Sequence, residues 1–383
     1  MLCEPCDDEC GEHCCQPPWQ SDRRVVTLLN ASSVKEPVYG RSISSASCNI
    51  MMRAIDNAVS RKECVPSWDA ETWCVLLQHV ESMLEKNLRK HSLLRQVDSC
   101  KSAIVFGDLH GQYSTLQNWL RVLGHPRENP DCAYVFCGDY VDRGPQSLET
   151  AASILCLSAE NPNVCALRGN HELKEINFMF GLSEELIKRF GMAKGKLVWS
   201  RLNSAFETLP IMARIGTSTL CMHGGIHADL DLNALSSVKT RVSTITPNGE
   251  AGGDSSIQNS SFYNVLWSDP KPSGNSMYGK SSRGGGIVTY SPEAVDEFFD
   301  RHGIKDGRIF RAHQVVDGFA DAPGHVRVRS VFSAPFAWHS DMSTRSKNIG
   351  GVVQMKLNSN GTLKSFKPRL TKKADAESDE IYD

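Results

Sequence analysis

The chain has 383 residues, 40% hydrophobic and 22% charged, and its 42 Lys and Arg nearly cancel its 44 Asp and Glu. That balance suits an ordinary globular protein of one large domain or two small ones, and it gives no sign of a nucleic-acid or membrane-surface partner. No stretch approaches the roughly 18 uninterrupted apolar residues of a membrane span, and the N-terminus lacks the basic-then-apolar order of a secretory signal. An intracellular location, cytoplasmic, nuclear or both, is the expectation.

Residues 1–60 mix Ser, Pro, Cys and charges with little periodicity, and they read as a largely flexible extension. Five of the 14 cysteines fall within its first 15 residues, at Cys3, Cys6, Cys10, Cys14 and Cys15. With His13 they invite a zinc or palmitate reading, but the spacing completes no ligand pattern, and a reducible tail is preferred. A domain is expected over 61–370, followed by a charged tail over 371–383. Its first element is an amphipathic helix from Asp69 to near Lys90, where Trp73, Leu76, Leu77, Val80, Leu84 and Leu88 recur at helical spacing.

Next come short apolar runs at 103–106, 133–137 and 164–167, separated by helices from Gln112 and around 147–158. Helices over 172–207 break near Gly181 and Gly191. This βαβαβα order predicts an α/β fold. Beyond Pro210 the pattern changes to short strands, at 219–222, 308–310 and 326–332, with a helix over 292–302. Residues 244–262, rich in Gly, Ser, Asn and Pro, read as an exposed loop.

Each of the three early apolar runs empties into a turn bearing metal-type side chains: GDLHG at 107–111, GDYVDRG at 138–144 and RGNHE at 168–172. Asp108, Asp139 and Asn170 follow one another at intervals of 31 residues, about the length of one βαβ unit. Three parallel strands at that spacing would set the three loops side by side at the carboxyl edge of a sheet, where ligands of open α/β sheets sit. His223 and His313 follow two of the later strands. A lone Asp-x-His turn is commonplace, but so many metal-type residues at strand ends are hard to explain structurally. Asp108, His110, Asp139, Asn170, His223 and His313 are therefore the candidate ligands of two divalent metal ions. Asp139, on the middle strand, is the expected bridging carboxylate. Mixed imidazole and carboxylate donors suit Mn, Fe or Zn better than Ca or Mg.

The segments GDLHGQ, GDYVDRG, LRGNHE, HGGI, LWSDP, SRGGG, FRAHQVVDGF and VFSAP occur in the order found in the PPP family of metal-dependent serine/threonine protein phosphatases, which the chain resembles over 95–370. The resemblance implies a metallophosphoesterase-type central β-sandwich flanked by helices. It also implies single-step hydrolysis of phosphoserine and phosphothreonine by a hydroxide bridging two metals (Mn, or Fe and Zn). Asp108, His110 and Asp139 would hold the first metal, and Asp139, Asn170, His223 and His313 the second. His171 would be the general acid, oriented by Asp142, while Arg143 and Arg283 would grip the phosphate. Phosphoprotein substrates and regulatory protein subunits are the implied partners.

The chain departs from the family where Ser333-Ala334-Pro335 is followed by Phe336-Ala337-Trp338, without the usual tyrosine. Weak or altered binding of the family's natural-product toxins, okadaic acid and microcystin, is expected from that change. Two other readings stay open: another metallophosphoesterase, such as a dinucleoside tetraphosphatase or a phosphodiesterase, and a phosphoprotein-binding pseudophosphatase.

Overall fold

A computed structural model describes residues 45–98, 100–243, 245–246, 256–337 and 346–371. In chain order the elements are α1 (Ser45–Arg61), α2 (Ala70–His91), β1 (Leu94–Val97), β2 (Ser102–Phe106), α3 (Tyr113–Leu123), β3 (Cys132–Phe136), α4 (Ser147–Glu160) and β4 (Val164–Ala166). They continue through α5 (Lys174–Met179), α6 (Leu182–Phe190), α7 (Met192–Phe206), β5 (Met212–Ile215), β6 (Thr219–Met222), α8 (Leu232–Ser237), α9 (Ser256–Trp267) and β7 (Asp269–Pro270). The remainder is β8 (Tyr278–Lys280), β9 (Val288–Tyr290), α10 (Pro292–Arg301), β10 (Arg308–Arg311), β11 (Phe319–Asp321), β12 (Val328–Val331), β13 (Gly351–Leu357) and β14 (Leu363–Leu370).

The strands form two main sheets, ordered β1-β5-β6-β10-β12-β11 and β14-β13-β2-β3-β4, with a small sheet β7-β9-β8 at the side. Strand alternation explains how they stack. Ala103, Val105, Ala133, Val135 and Cys137 face Ala213, Ile215, Cys221 and Phe310 in a core between the sheets. The intervening Ile104, Phe106, Tyr134 and Phe136 pack outward against α1 to α4. On the other sheet Met212, Leu220, Met222 and Ile309 pack outward beneath α9 and α10. With both faces covered, these strands read as unbroken apolar runs rather than alternating ones.

The runs at 103–106, 133–137 and 164–167 are β2, β3 and β4, and they are parallel neighbours as the spacing predicted. The helix expected from Asp69 is α2, whose first turn is capped by the Asp69 carboxylate accepting from the Thr72 N–H at 2.8 Å.

Two expectations are corrected. The N-terminal extension does not run to residue 60: α1 buries Met52, Ile55, Ala58 and Val59 in the same core as α3 and α4. The polar Asp56 on its buried face obscured the pattern. It is paired with His125 at 2.8 Å and Arg127 at 2.5 Å, which makes its burial tolerable. Likewise 244–262 is not one loop, because α9 begins at Ser256 and buries Phe262, Tyr263, Val265 and Leu266. Tertiary packing there outweighs the weak helix propensity of Ser and Asn. The N-terminal cysteine cluster and the tail beyond Thr371 lie outside the described residues.

Candidate metal centre

The carboxyl ends of β2, β3 and β4 meet those of β6 and β10 at one rim of the sandwich. Main-chain contacts fix the loops against each other. The N–H groups of Leu109 and His110 both donate to the Asp139 carbonyl, at 3.0 and 2.9 Å. Gly138 and Gly169 touch so closely that a Cβ at Gly138 would lie 2.4 Å from the Gly169 nitrogen, and one at Gly169 would lie 2.4 Å from Asp139 Oδ1. Only glycine fits at either position.

Five site residues adopt the left-handed backbone region: His110, Asp139, Asp142, Arg143 and His313, with φ of 42°, 56°, 71°, 66° and 71°. Each costs about 1–3 kcal/mol and persists only where its surroundings enforce it. At Asp139 the enforcing group is Glu172. Its fully buried carboxylate accepts from the N–H groups of Asp139, Tyr140 and Gly169, each at 2.8 Å. Arg168 supports the same turn from below, with Nε donating to the Glu172 carbonyl at 3.3 Å.

Asp139 Oδ2 lies at the middle of the cluster, 3.3 Å from His223 Nε2, 3.7 Å from His110 Nε2 and 3.9 Å from His171 Nε2. Its Oδ1 is already occupied, accepting from the His171 N–H at 2.9 Å. Asp108 Oδ2 stands 3.6 Å from His110 Nε2, and its Oδ1 accepts from the His313 N–H at 2.9 Å. Asn170 Oδ1 is 2.8 Å from His223 Nε2, and His313 Nδ1 is 3.2 Å from the same nitrogen. All six expected ligands thus converge. Two imidazoles are aimed by their outer nitrogens: His110 Nδ1 contacts the Val141 carbonyl at 2.9 Å and His223 Nδ1 the Cys137 carbonyl at 2.8 Å. This leaves each Nε2 facing the cluster as a lone pair.

The donor set fits divalent cations. Asp108 Oδ2 is buried with no hydrogen-bond partner, which is costly for a polar atom unless something else engages it. Burial and the neighbouring Asp139 push Asp108 up to about 6, while burial and Arg143 push His110 down to about 3. Burial also opposes ionisation of Asp139, yet His223, His171 and His110 hold its carboxyl below the usual range.

His171 lies as near to Asp139 as the ligands do, but its environment differs. Its Nδ1 is 2.6 Å from Asp142 Oδ2, and its Nε2 is 3.3 Å from Arg143 Nη2. Burial pushes the Asp142 carboxyl well above the usual carboxylate range and the His171 ring well below the usual imidazole range. Arg143 is half-buried and its Nε has no hydrogen-bond partner. Arg283 is not joined to Arg143: its Nε donates to Asp269 Oδ2 at 2.5 Å. Asp269 Oδ1 accepts from the buried Arg311 at 2.9 Å, so one carboxylate holds two arginines. The order of the motifs signalled neither this link nor the role of Glu172. Phe336, the divergent residue after SAP, has a left-handed φ of 49°, and Trp338 lies outside the described residues.

The family model for calcineurin-like phosphoesterases matches residues 102–317, which contain every side chain of this cluster. The chain belongs to that family. It is 40% identical over 230 residues to the serine/threonine-protein phosphatase BSL2 of Arabidopsis thaliana, a match covering 58% of this chain and 21% of that one, so the chain spans only about a fifth of that relative's length. Among solved structures it resembles a protein serine/threonine phosphatase from Saccharomyces cerevisiae with similarity to human phosphatase PP5. That likeness has a TM-score of 0.63 and 23% identity, covers 84% of this chain and 95% of the other, and supports the mixed α/β sandwich of this phosphoesterase. Among the described residues no helix is long and apolar enough to cross a membrane.

Proposed function

We propose that the chain is a serine/threonine-specific phosphoprotein phosphatase working with two divalent metal ions. The observation that carries the reading is the place of Asp139 Oδ2, 3.7 Å from His110 Nε2 and 3.3 Å from His223 Nε2, one imidazole from each proposed ligand set, as suits a carboxylate shared by two cations. Asp108, His110 and Asp139 would hold one ion; Asp139, Asn170, His223 and His313 would hold the other. When bound, such ions activate water at neutral pH and offset phosphate charge.

The chain's own residues supply the rest. Arg143 offers a guanidinium with a vacant buried Nε to the phosphate oxygens. His171 Nε2, beside that guanidinium, is placed to give its proton to the departing serine or threonine oxygen, and Asp142 holds the ring in orientation from Nδ1. Arg283 would reach the phosphate only from its present bond to Asp269. The similarity to a relative called a serine/threonine-protein phosphatase favours this substrate class over other phosphoesters. The same reading makes phosphoproteins the partners, with regulatory subunits as a further expectation.

The test is turnover, after Mn²⁺ loading, of a phosphoserine peptide beside diadenosine tetraphosphate. The expected result is at least tenfold higher kcat/KM on the peptide. Preference for the dinucleotide would point to another phosphoesterase, and failure on both together with para-nitrophenyl phosphate would favour a pseudophosphatase.

A further inference from the structure

β1 ends one sheet and β4 ends the other. A cavity of about 230 Å³ lies between these two edge strands and the C-terminal turn of α2. Leu84 and Leu88 from α2, Val164 from β4, and Leu209 form the apolar part of its lining, beside polar Asn87, Ser92, Ser158 and Thr208. Its mouth carries Lys90 and Arg95. Among the ion pairs of the described residues, neither cation has a carboxylate partner. Arg95 spends Nη2 on the Pro162 carbonyl at 3.1 Å, and its Nη1 is buried without any hydrogen-bond partner.

A buried guanidinium nitrogen left unsatisfied is costly, and an anion removes that cost. We propose that this cavity binds a small amphipathic carboxylate, its head group on Arg95 Nη1 and its apolar body between α2 and β4. A ligand without an acceptor atom would leave Nη1 unsatisfied, a neutral acceptor would leave Lys90 and Arg95 without a counter-charge, and an inorganic anion would leave the apolar lining uncovered. A doubly charged head is disfavoured by Glu160, which also lines the cavity and is only loosely paired with Arg127, at 3.8 Å. His91, the remaining ionisable group at the mouth, is pushed down to about 4 by burial and by Arg95 and Lys90, so it adds no charge near neutral pH. An apolar cavity of roughly 150 Å³ accepts benzene, so this one has room for a single ring with its carboxylate. The inference does not depend on the phosphatase reading.

Isothermal titration of the full chain, loaded with Mn²⁺, with phenylacetate tests it. Acetate serves as the head-only control and benzyl alcohol as the body-only control. Saturable one-to-one binding of phenylacetate is expected, with each control at least about tenfold weaker, the scale of one charge-assisted hydrogen bond. Arg95→Gln should weaken phenylacetate by a similar factor, and Leu84→Phe, which fills the apolar part of the cavity, should abolish binding. Both variants should keep the parent turnover of para-nitrophenyl phosphate, and Leu84→Phe, which enlarges a buried core side chain, should lower the melting temperature by a few degrees only. Should Arg95→Gln fail to fold, Leu84→Phe and the two controls decide. Absence of saturable heat, unchanged affinity in the folded variants, or competitive inhibition of turnover by phenylacetate would each overturn the proposal.

Discussion

The two halves of the metal centre are built by different means. Asp108, His110, Asp139 and Asn170 sit on loops after three successive parallel strands, and the loops are bonded directly to one another through Glu172 and the Gly138–Gly169 contact. His223 and His313 arrive from the opposite sheet, much later in the chain. They are registered by a few cross-sheet bonds: the His223 ring on the Cys137 carbonyl, and the His313 N–H on Asp108. The first half is a local construction whose left-handed backbone conformations are enforced by those loop-to-loop contacts. The second depends on the two sheets closing correctly. Asp139 is the one ligand common to both proposed ions, so the two sites should fail together there.

The largest effect is therefore expected from Asp139→Asn. It removes the one carboxylate common to both proposed ions and leaves the imidazoles without their counter-charge. Turnover should fall at least about a thousandfold, the upper scale for losing one main electrostatic contributor, and metal content by elemental analysis should fall at both sites. Retention of either site at parental affinity would break the picture of a shared bridge. His171→Asn comes next. If His171 acts as the acid, phosphoserine turnover drops roughly a hundredfold to ten-thousandfold while metal content holds, and the loss is smaller on an aryl phosphate with its better leaving group. Because His171 Nε2 is only 3.9 Å from Asp139 Oδ2, the alternative of a seventh ligand is real chemistry, and parallel loss of metal would reveal it.

Glu172→Gln probes the local half alone. The amide would turn an N–H₂ group toward at least one of the three main-chain donors that the carboxylate now accepts. Metal affinity should fall by about 10–100-fold, the usual scale for a group that orients ligands. Titration calorimetry measures this, and an unchanged affinity would mean that the left-handed Asp139 is held by other means. Conversely, His223→Ala should empty the second site and spare Asp108 and His110, so that about half of the metal remains.

Much of the local half was legible in the sequence. Turn formers, metal-type side chains and even spacing encode it within one stretch, and β2, β3 and β4 lie where the apolar runs fall. The distant half was legible as residue types at strand ends, but not as geometry. The pairing of Arg283 and Arg311 on one Asp269 carboxylate spans the small sheet and β10, and no local pattern carries it. Glu172 escaped because a carboxylate that serves only backbone N–H groups leaves no partner residue to find in the chain. The helices α1 and α9 escaped for a third reason: a buried ion pair at Asp56 and a Ser- and Asn-rich stretch each masked an apolar face that only packing reveals.

The smallest effect, and the one that speaks most directly to how the halves join, is expected at Ser333. It follows β12 of the first sheet, yet its Oγ accepts from the Gly107 N–H at 2.9 Å and donates to the Gly351 carbonyl at 2.7 Å, both on the second sheet. Its own N–H donates to the Asp108 carbonyl at 3.1 Å. The hydroxyl thus stitches the sheets together one residue away from a proposed ligand. Ser333→Ala keeps the main-chain bond and leaves one buried donor and one buried acceptor unsatisfied, a destabilisation of about 1–3 kcal/mol. The melting temperature should drop accordingly, and metal affinity by less than tenfold, while turnover per metal-loaded molecule stays at the parent value. Loss of turnover at full metal loading would mean that closure of the sheets tunes the chemistry itself, and that the two halves are less separable than their construction suggests.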